Sequence, residues 1–197
     1  MGLLMWISVL IVVMVVHEVS HGGVAYLLGD RTAHRMGRLT LNPLKHIDPV
    51  WTIALPSILY LVGLPPIGMA KPVPVNFSAL HKPKRDMFFV AFAGPLSNLL
   101  SAALCAYLLQ LFPCLWLLYA VYLNLGLGIF NMIPILPLDG GRVMVSLLPN
   151  AYAYRFAKTE RFGMPIIMGL VFFGVLQRMI IPLMNIFCVL LHVPTIG

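Results

Sequence analysis

The sequence predicts an all-α integral membrane protein, a polytopic helical bundle of four spans in a single membrane-embedded domain covering residues 1–197. Three observations predict it. Sixty per cent of the 197 residues are hydrophobic, only 10% are charged, and apolar runs of membrane-crossing length recur along the chain. A soluble domain carries about a quarter charged residues, so this chain has too little polar surface to cover a globule in water. A helical span needs about 20 apolar residues, and four segments supply them.

The first span is Leu3–Leu28. Its beginning, Gly2 to Val16, has the look of a signal-peptide core. No Lys or Arg precedes it, however, and the run continues through His17, Glu18 and His21, so it reads as a retained helix. The second span is Met87–Leu111. The third, Leu115–Leu148, is helical to about Asn131 and irregular through Pro134 and Pro137. The fourth, Phe162–Leu191, is notched by Pro165 and Pro182. The stretch 50–70 is apolar but cut by Pro56, Pro65 and Pro66. It either makes a fifth span or re-enters.

Charge favours re-entry, giving four spans, or five if 50–70 crosses. The net charge is +7. Its bases cluster in three loops: Arg31, Arg35, Arg38 and Lys45; Lys71, Lys82, Lys84 and Arg85; Arg155, Lys158 and Arg161. If 50–70 re-enters, all three loops lie on one face, as the excess of Lys and Arg in cytoplasmic loops favours. Both termini then lie outside. With no basic-aromatic stripe or groove-reading motif, the charge gives no reason to expect a nucleic-acid partner. Cys105, Cys114 and Cys188 lie in apolar segments without metal-site spacing and read as small buried hydrophobes.

The chemistry is carried by His17-Glu18-Val19-Ser20-His21. Residues four apart share a helix face, so two imidazoles can hold one zinc while the intervening Glu holds the attacking water. With six His and two Glu in the chain, roughly 0.002 such pentads are expected by chance. Three ionisable groups in a span are costly and mark function. A catalytic zinc takes three protein ligands and keeps one open position. Of the four aspartates, Asp139 alone lies in an apolar stretch at matching depth, in a segment broken by Pro134 and Pro137 and loosened by Gly140 and Gly141. Irregular backbone at membrane depth belongs beside a water-filled cavity. Asn98 and Asn131 are amides placed to stabilise an oxyanion or hold substrate backbone, or to bond neighbouring helices. His34, His46, His81 and His192 lack partners at ligand spacing, and Arg142 is expected to snorkel to the inner face.

The chain resembles the site-2 protease family of intramembrane zinc metalloproteases, peptidase family M50, in its small bacterial branch. The resemblance rests on His17-Glu18-x-x-His21, Gly94-Pro95-Leu96-Ser97-Asn98, and Asn131-x-x-Pro134-x-x-Pro137-Leu138-Asp139-Gly140. Two loop motifs add to it, Leu41-Asn42-Pro43-Leu44-Lys45-His46-Ile47-Asp48-Pro49 and Ala70-Lys71-Pro72-Val73-Pro74-Val75-Asn76. It implies that His17, His21 and Asp139 are ligands of one Zn2+ per chain and that Glu18 is the catalytic acid and base. It implies transmembrane protein substrates cut in or near their spans, a bacterial inner membrane setting and an active site nearer the cytoplasmic face. A regulatory membrane partner or a homo-oligomer is compatible with it, and no PDZ or CBS region is visible. Val73 and Val75 alternate with prolines, as on an edge strand, where an unwound substrate could add by β-pairing. Relatives place a β-region between the first and second core helices, so a re-entrant or β-like segment is expected there. Two other classes compete. A zinc transporter also buries His and Asp, but it usually shows internal repeats, absent here, and has no use for Glu18. An inactive helix-binding scaffold would not need the full catalytic set.

Overall fold

A computed structural model describes residues 3–63 and 70–196. Helix α1 (Leu3–Leu27) is one unbroken span. It ends in a turn at Asp30, whose carboxylate accepts the Thr32 N–H at 2.9 Å and opens the short α2 (Thr32–Arg35). Asn42 then starts a 3-10 turn at Pro43–Lys45. Asp48 caps a π-helical turn, Pro49–Ala54, accepting from the N–H groups of Val50 and Trp51. That turn runs into α3 (Leu55–Leu61). At about 1.5 Å per residue, the combined helix Pro49–Leu61 is too short to cross a bilayer. The remainder of the 50–70 stretch, 64–69, lies outside the described residues.

Helix α4 (Pro83–Leu111) begins four residues before the expected Met87. Pro83 needs no hydrogen-bond partner in the first turn, and Asp86 reaches back to the Lys82 N–H at 2.8 Å. This helix is the centre of the bundle, packed on α1, on α5 (Leu115–Asn131) and on α6 (Asp139–Leu147). The expected third span is thus two helices joined by 132–138. A short α7 (Asn150–Ala157) leads to α8 (Glu160–Phe172) and α9 (Val175–Leu190). These two are bent by 77°. The expected notches at Pro165 and Pro182 fall inside helices; the break comes between them, where Gly174 takes φ 68°. By length and apolarity, α1 and α4 can cross a membrane, and α8 with α9 makes a third crossing if the bent pair is one span. The protein is an all-α membrane protein, with no strand among the described residues.

The main apolar core joins α4, α5 and α9 through Ala102, Ala106, Val121, Leu125, Met184 and Cys188. Small residues such as Ala102 and Ala106 let helices approach closely where lipid leaves only packing to hold them. Of the three cysteines expected to be buried, Cys188 is, Cys105 is half-buried and Cys114 is exposed at the α4–α5 turn. A turn ending a helix leaves its side chain no neighbouring element to pack against.

Candidate metal centre

Helices α1 and α4 cross at Gly94. A Cβ there would land on the His21 Nε2 atom and lie 2.6 Å from His17 Cε1. The missing side chain lets the two imidazoles, one turn apart on α1, fill the space between the helices. His17 and His21 are 5% and 8% exposed. Their Nε2 atoms are 3.0 Å apart, and Asp139 Oδ2 at the start of α6 lies 3.2 Å from one and 3.3 Å from the other.

The far side of each ring is fixed. His21 Nδ1 lies 2.6 Å from the Val90 carbonyl, which can only accept. His17 Nδ1 lies 2.6 Å from Asn98 Oδ1. The direction of that contact follows from a relay. Asn124 Nδ2 donates to the Ala120 carbonyl at 2.8 Å, so Asn124 Oδ1 accepts from Asn98 Nδ2 at 2.9 Å, and Asn98 Oδ1 is left to accept from His17. Both rings therefore donate through Nδ1, and in their neutral form they turn an Nε2 lone pair inward.

Two ring nitrogens and a carboxylate oxygen converge, each within 3.3 Å of the others, in a buried setting. Such a donor set suits a cation. Zinc bonds His nitrogen at about 2.0–2.1 Å and carboxylate oxygen at about 2.0–2.2 Å in tetrahedral geometry, which sets ligand atoms roughly 3.3–3.5 Å apart. The observed 3.0–3.3 Å triangle is close to one face of that tetrahedron. The residues present fit zinc.

The open side of the triangle faces a cavity of about 580 Å³. Met14, Leu127, Phe130 and Met164 give it apolar walls, and Glu18, Asp48, Lys71 and Arg142 bring charge to it. Glu18 is half-buried beside the ligands, and its Oε2 accepts the Val73 N–H at 2.7 Å.

Comparison with known proteins places this chain in a family. The model of peptidase family M50 matches residues 113–174, which include Asp139. YwhC of Bacillus subtilis, whose zinc metalloprotease name is provisional, is 37% identical over 172 residues, spanning 78% of this chain and 74% of that protein. The chain belongs to peptidase family M50. Rip2 of Mycolicibacterium smegmatis, also provisionally named a zinc metalloprotease, is 28% identical over 82% of this chain and 64% of its own length. The zinc metalloprotease MJ0392 of Methanocaldococcus jannaschii is 32% identical over 50% of this chain and 31% of its own. The family is one of zinc metalloproteases, as these names record, and this chain is a member of it. No solved structure matches the chain.

Within this M50 member the sequence-predicted residues fall into two groups. His17, His21 and Asp139 meet, with Glu18 adjacent. Asn98 does not face the cavity as an oxyanion donor would; it is fully buried, with its amide committed to His17 and Asn124. Asn131 lines the cavity and donates to its own helix at the Leu127 carbonyl, 3.0 Å away. Val73 and Val75 line the cavity too, on an extended segment that pairs with no strand among the described residues. Pro72 and Pro74 deny a ladder its donors, and the Lys71 and Asn76 N–H groups are already given to the His46 carbonyl and to Asp30. Arg142 lines the cavity, pairs with Glu160 at 3.1 Å and lies 5.3 Å from the Phe77 ring centroid. Sequence reasoning missed Asn124, although an amide in the middle of the apolar α5 was a visible signal.

Proposed function

We propose that this M50 member is an intramembrane zinc metalloendopeptidase that hydrolyses peptide bonds within or near transmembrane segments of other proteins. One observation carries the reading: three electron-pair donors meet inside the helical bundle, on the wall of a cavity that also holds the Glu18 carboxylate. His17, His21 and Asp139 hold one zinc per chain. When bound, zinc supplies Lewis-acid activation of the scissile carbonyl and of water. Glu18 takes a proton from the water as its oxygen joins the carbonyl carbon, and returns it to the amide nitrogen as the C–N bond breaks. The apolar walls suit apolar substrate side chains. A helical substrate must unwind to present an amide, and the segment bearing Val73 and Val75 offers an extended backbone for it to lie along.

The three basic loops set the orientation. They face the cytoplasm, both termini face outside, and the site lies nearer the cytoplasmic face of a bacterial inner membrane crossed several times. The partners are the bilayer, transmembrane substrates, and a regulatory membrane protein or a second copy of the chain.

The test is a matched assay of purified wild-type and Glu18→Gln protein in detergent, measuring bound metal and cleavage of model transmembrane substrates. About one zinc in each, with cleavage by wild type alone, supports the reading. Cleavage that survives in the variant removes Glu18 from the mechanism. Zinc flux into vesicles that is unchanged by the variant would instead favour a transporter, and helix binding with no cleavage by wild type would favour a scaffold.

A further inference from the structure

Segment 70–76 is fastened at both ends and is tied to Glu18 by one hydrogen bond. The Lys71 N–H donates to the His46 carbonyl at 2.8 Å. Arg38 Nη2 donates to the Lys71 carbonyl at 2.9 Å and to the Pro72 carbonyl at 3.3 Å. Asp30, 1% exposed, accepts the Asn76 N–H at 2.6 Å. All three anchors belong to the loop that follows α1. Val73 gives its N–H to Glu18 Oε2. Prolines flank Val73 on both sides, so no neighbouring N–H can take its place.

The Val73 side chain fixes the register. It is 5% exposed and fills the space left by Gly22, where a Cβ would stand 2.7 Å from Val73 Cγ1. Gly22 lies one helical turn beyond Glu18 on the same face of α1. The notch that seats Val73 and the carboxylate that receives its N–H are therefore parts of one helix surface.

We propose that Arg38 and Asp30 are positioning residues for Glu18. They hold 70–76 so that the Val73 N–H fixes one carboxylate oxygen and turns the other towards the scissile bond. The proposal rests on the reading of Glu18 as the proton carrier. A Glu side chain loses much rotamer freedom when held, and a charge-assisted hydrogen bond is a strong, directional way to hold it. A planar guanidinium can serve two carbonyls at once, which an ammonium does less well.

The experiment uses the full chain in detergent with Arg38→Ala, Arg38→Lys and Asp30→Asn. Three quantities are read: bound zinc, the amide proton resonance of Val73 in 15N-labelled protein, and kcat and KM on a model transmembrane substrate. In Arg38→Ala zinc content is expected to hold and the Val73 resonance to move upfield, as it also should in Glu18→Gln. With the base misplaced, kcat falls about tenfold while KM stays within about twofold, and Arg38→Lys recovers part of the loss.

An unmoved Val73 resonance in Arg38→Ala or in Glu18→Gln overturns the proposal. So does a displaced resonance with kcat at the wild-type level. A rise in KM with kcat unchanged also overturns it, because the segment then only binds substrate. If Arg38→Ala loses its fold or its zinc, Asp30→Asn, which acts at the other end of the segment, takes its place; the same loss there makes the anchors structural and ends the proposal. Full cleavage by Glu18→Gln is a different failure. It removes the proton-carrier reading itself, whereas the Val73 resonance still reports whether the anchors hold the segment.

Discussion

Replacing Asn98 with leucine should weaken zinc binding without emptying the bundle. Leucine has the same branching, so it fits this fully buried position with small shifts of its neighbours. What is lost is the acceptor for His17 Nδ1–H and the donor to Asn124. A buried N–H left unpaired costs about 1–3 kcal/mol, and about 1.4 kcal/mol is a factor of ten. The loss in zinc affinity is therefore between roughly 5-fold and 150-fold, in the range of about 10–100-fold usual for partners of metal-bound histidines. The ring can relieve itself by moving its proton to Nε2, but that puts hydrogen where the metal sits, so relief and weakened binding are one event. Asn124→Leu should cost less, because Asn98 keeps its carbonyl oxygen against His17. Asn98→Asp retains an acceptor and should hold zinc nearly as wild type does. Competition with a chelating dye in detergent at fixed pH measures all three. Wild-type affinity in Asn98→Leu, or an equal loss in Asn124→Leu, would refute the relay.

Two further predictions follow from the same packing. Gly94→Ala drives a methyl group into the ligand pair, so the protein should keep its helical circular dichroism while bound zinc falls below detection; normal zinc content would mean that α1 and α4 can separate freely. Burial pushes the Asp30 carboxyl up, but hydrogen bonds from Thr32 and Asn76 and the charge of Arg35 hold it below its ordinary value of 3.8. Its stabilising contribution is then complete above that value and is lost as pH falls through the lowered one. Thermal melts in detergent should show Asp30→Asn less stable than wild type at neutral pH, with the difference shrinking below about pH 4.

The parts that were legible in sequence are those written locally. Runs of apolar residues gave α1 and most of α4, and the i, i+4 spacing of His17 and His21 put two ligands on one face whatever the rest of the chain did. Asp139 stood out because a carboxylate in a broken apolar stretch has few other uses. The start of α4 was also readable, since Pro83 followed by Asp86 is a helix-opening pattern, yet hydropathy alone moved it to Met87. What escaped depended on register between distant elements. Asn98 is recognisable as polar, but its direction is set by Asn124 on another helix and finally by the Ala120 carbonyl. The segment 70–76 alternates as a strand does. Its donors are claimed by Asp30, His46 and Glu18, however, and no local pattern records those partners. The bend between α8 and α9 sat between two prolines that looked like better breaking points.

The close approach at Gly94 also orders events in time. The two histidines are synthesised first, on a helix that by itself would leave their lone pairs facing lipid or water. They gain fixed tautomers when α4 and α5 arrive with Val90, Asn98 and Asn124, and a third donor only when the chain has reached α6. A nascent chain that has reached α1 alone carries the His17-Glu18-Val19-Ser20-His21 motif without the partners that α4, α5 and α6 supply. A chain inserted only as far as α5 therefore holds two of the three donors and no assembled site.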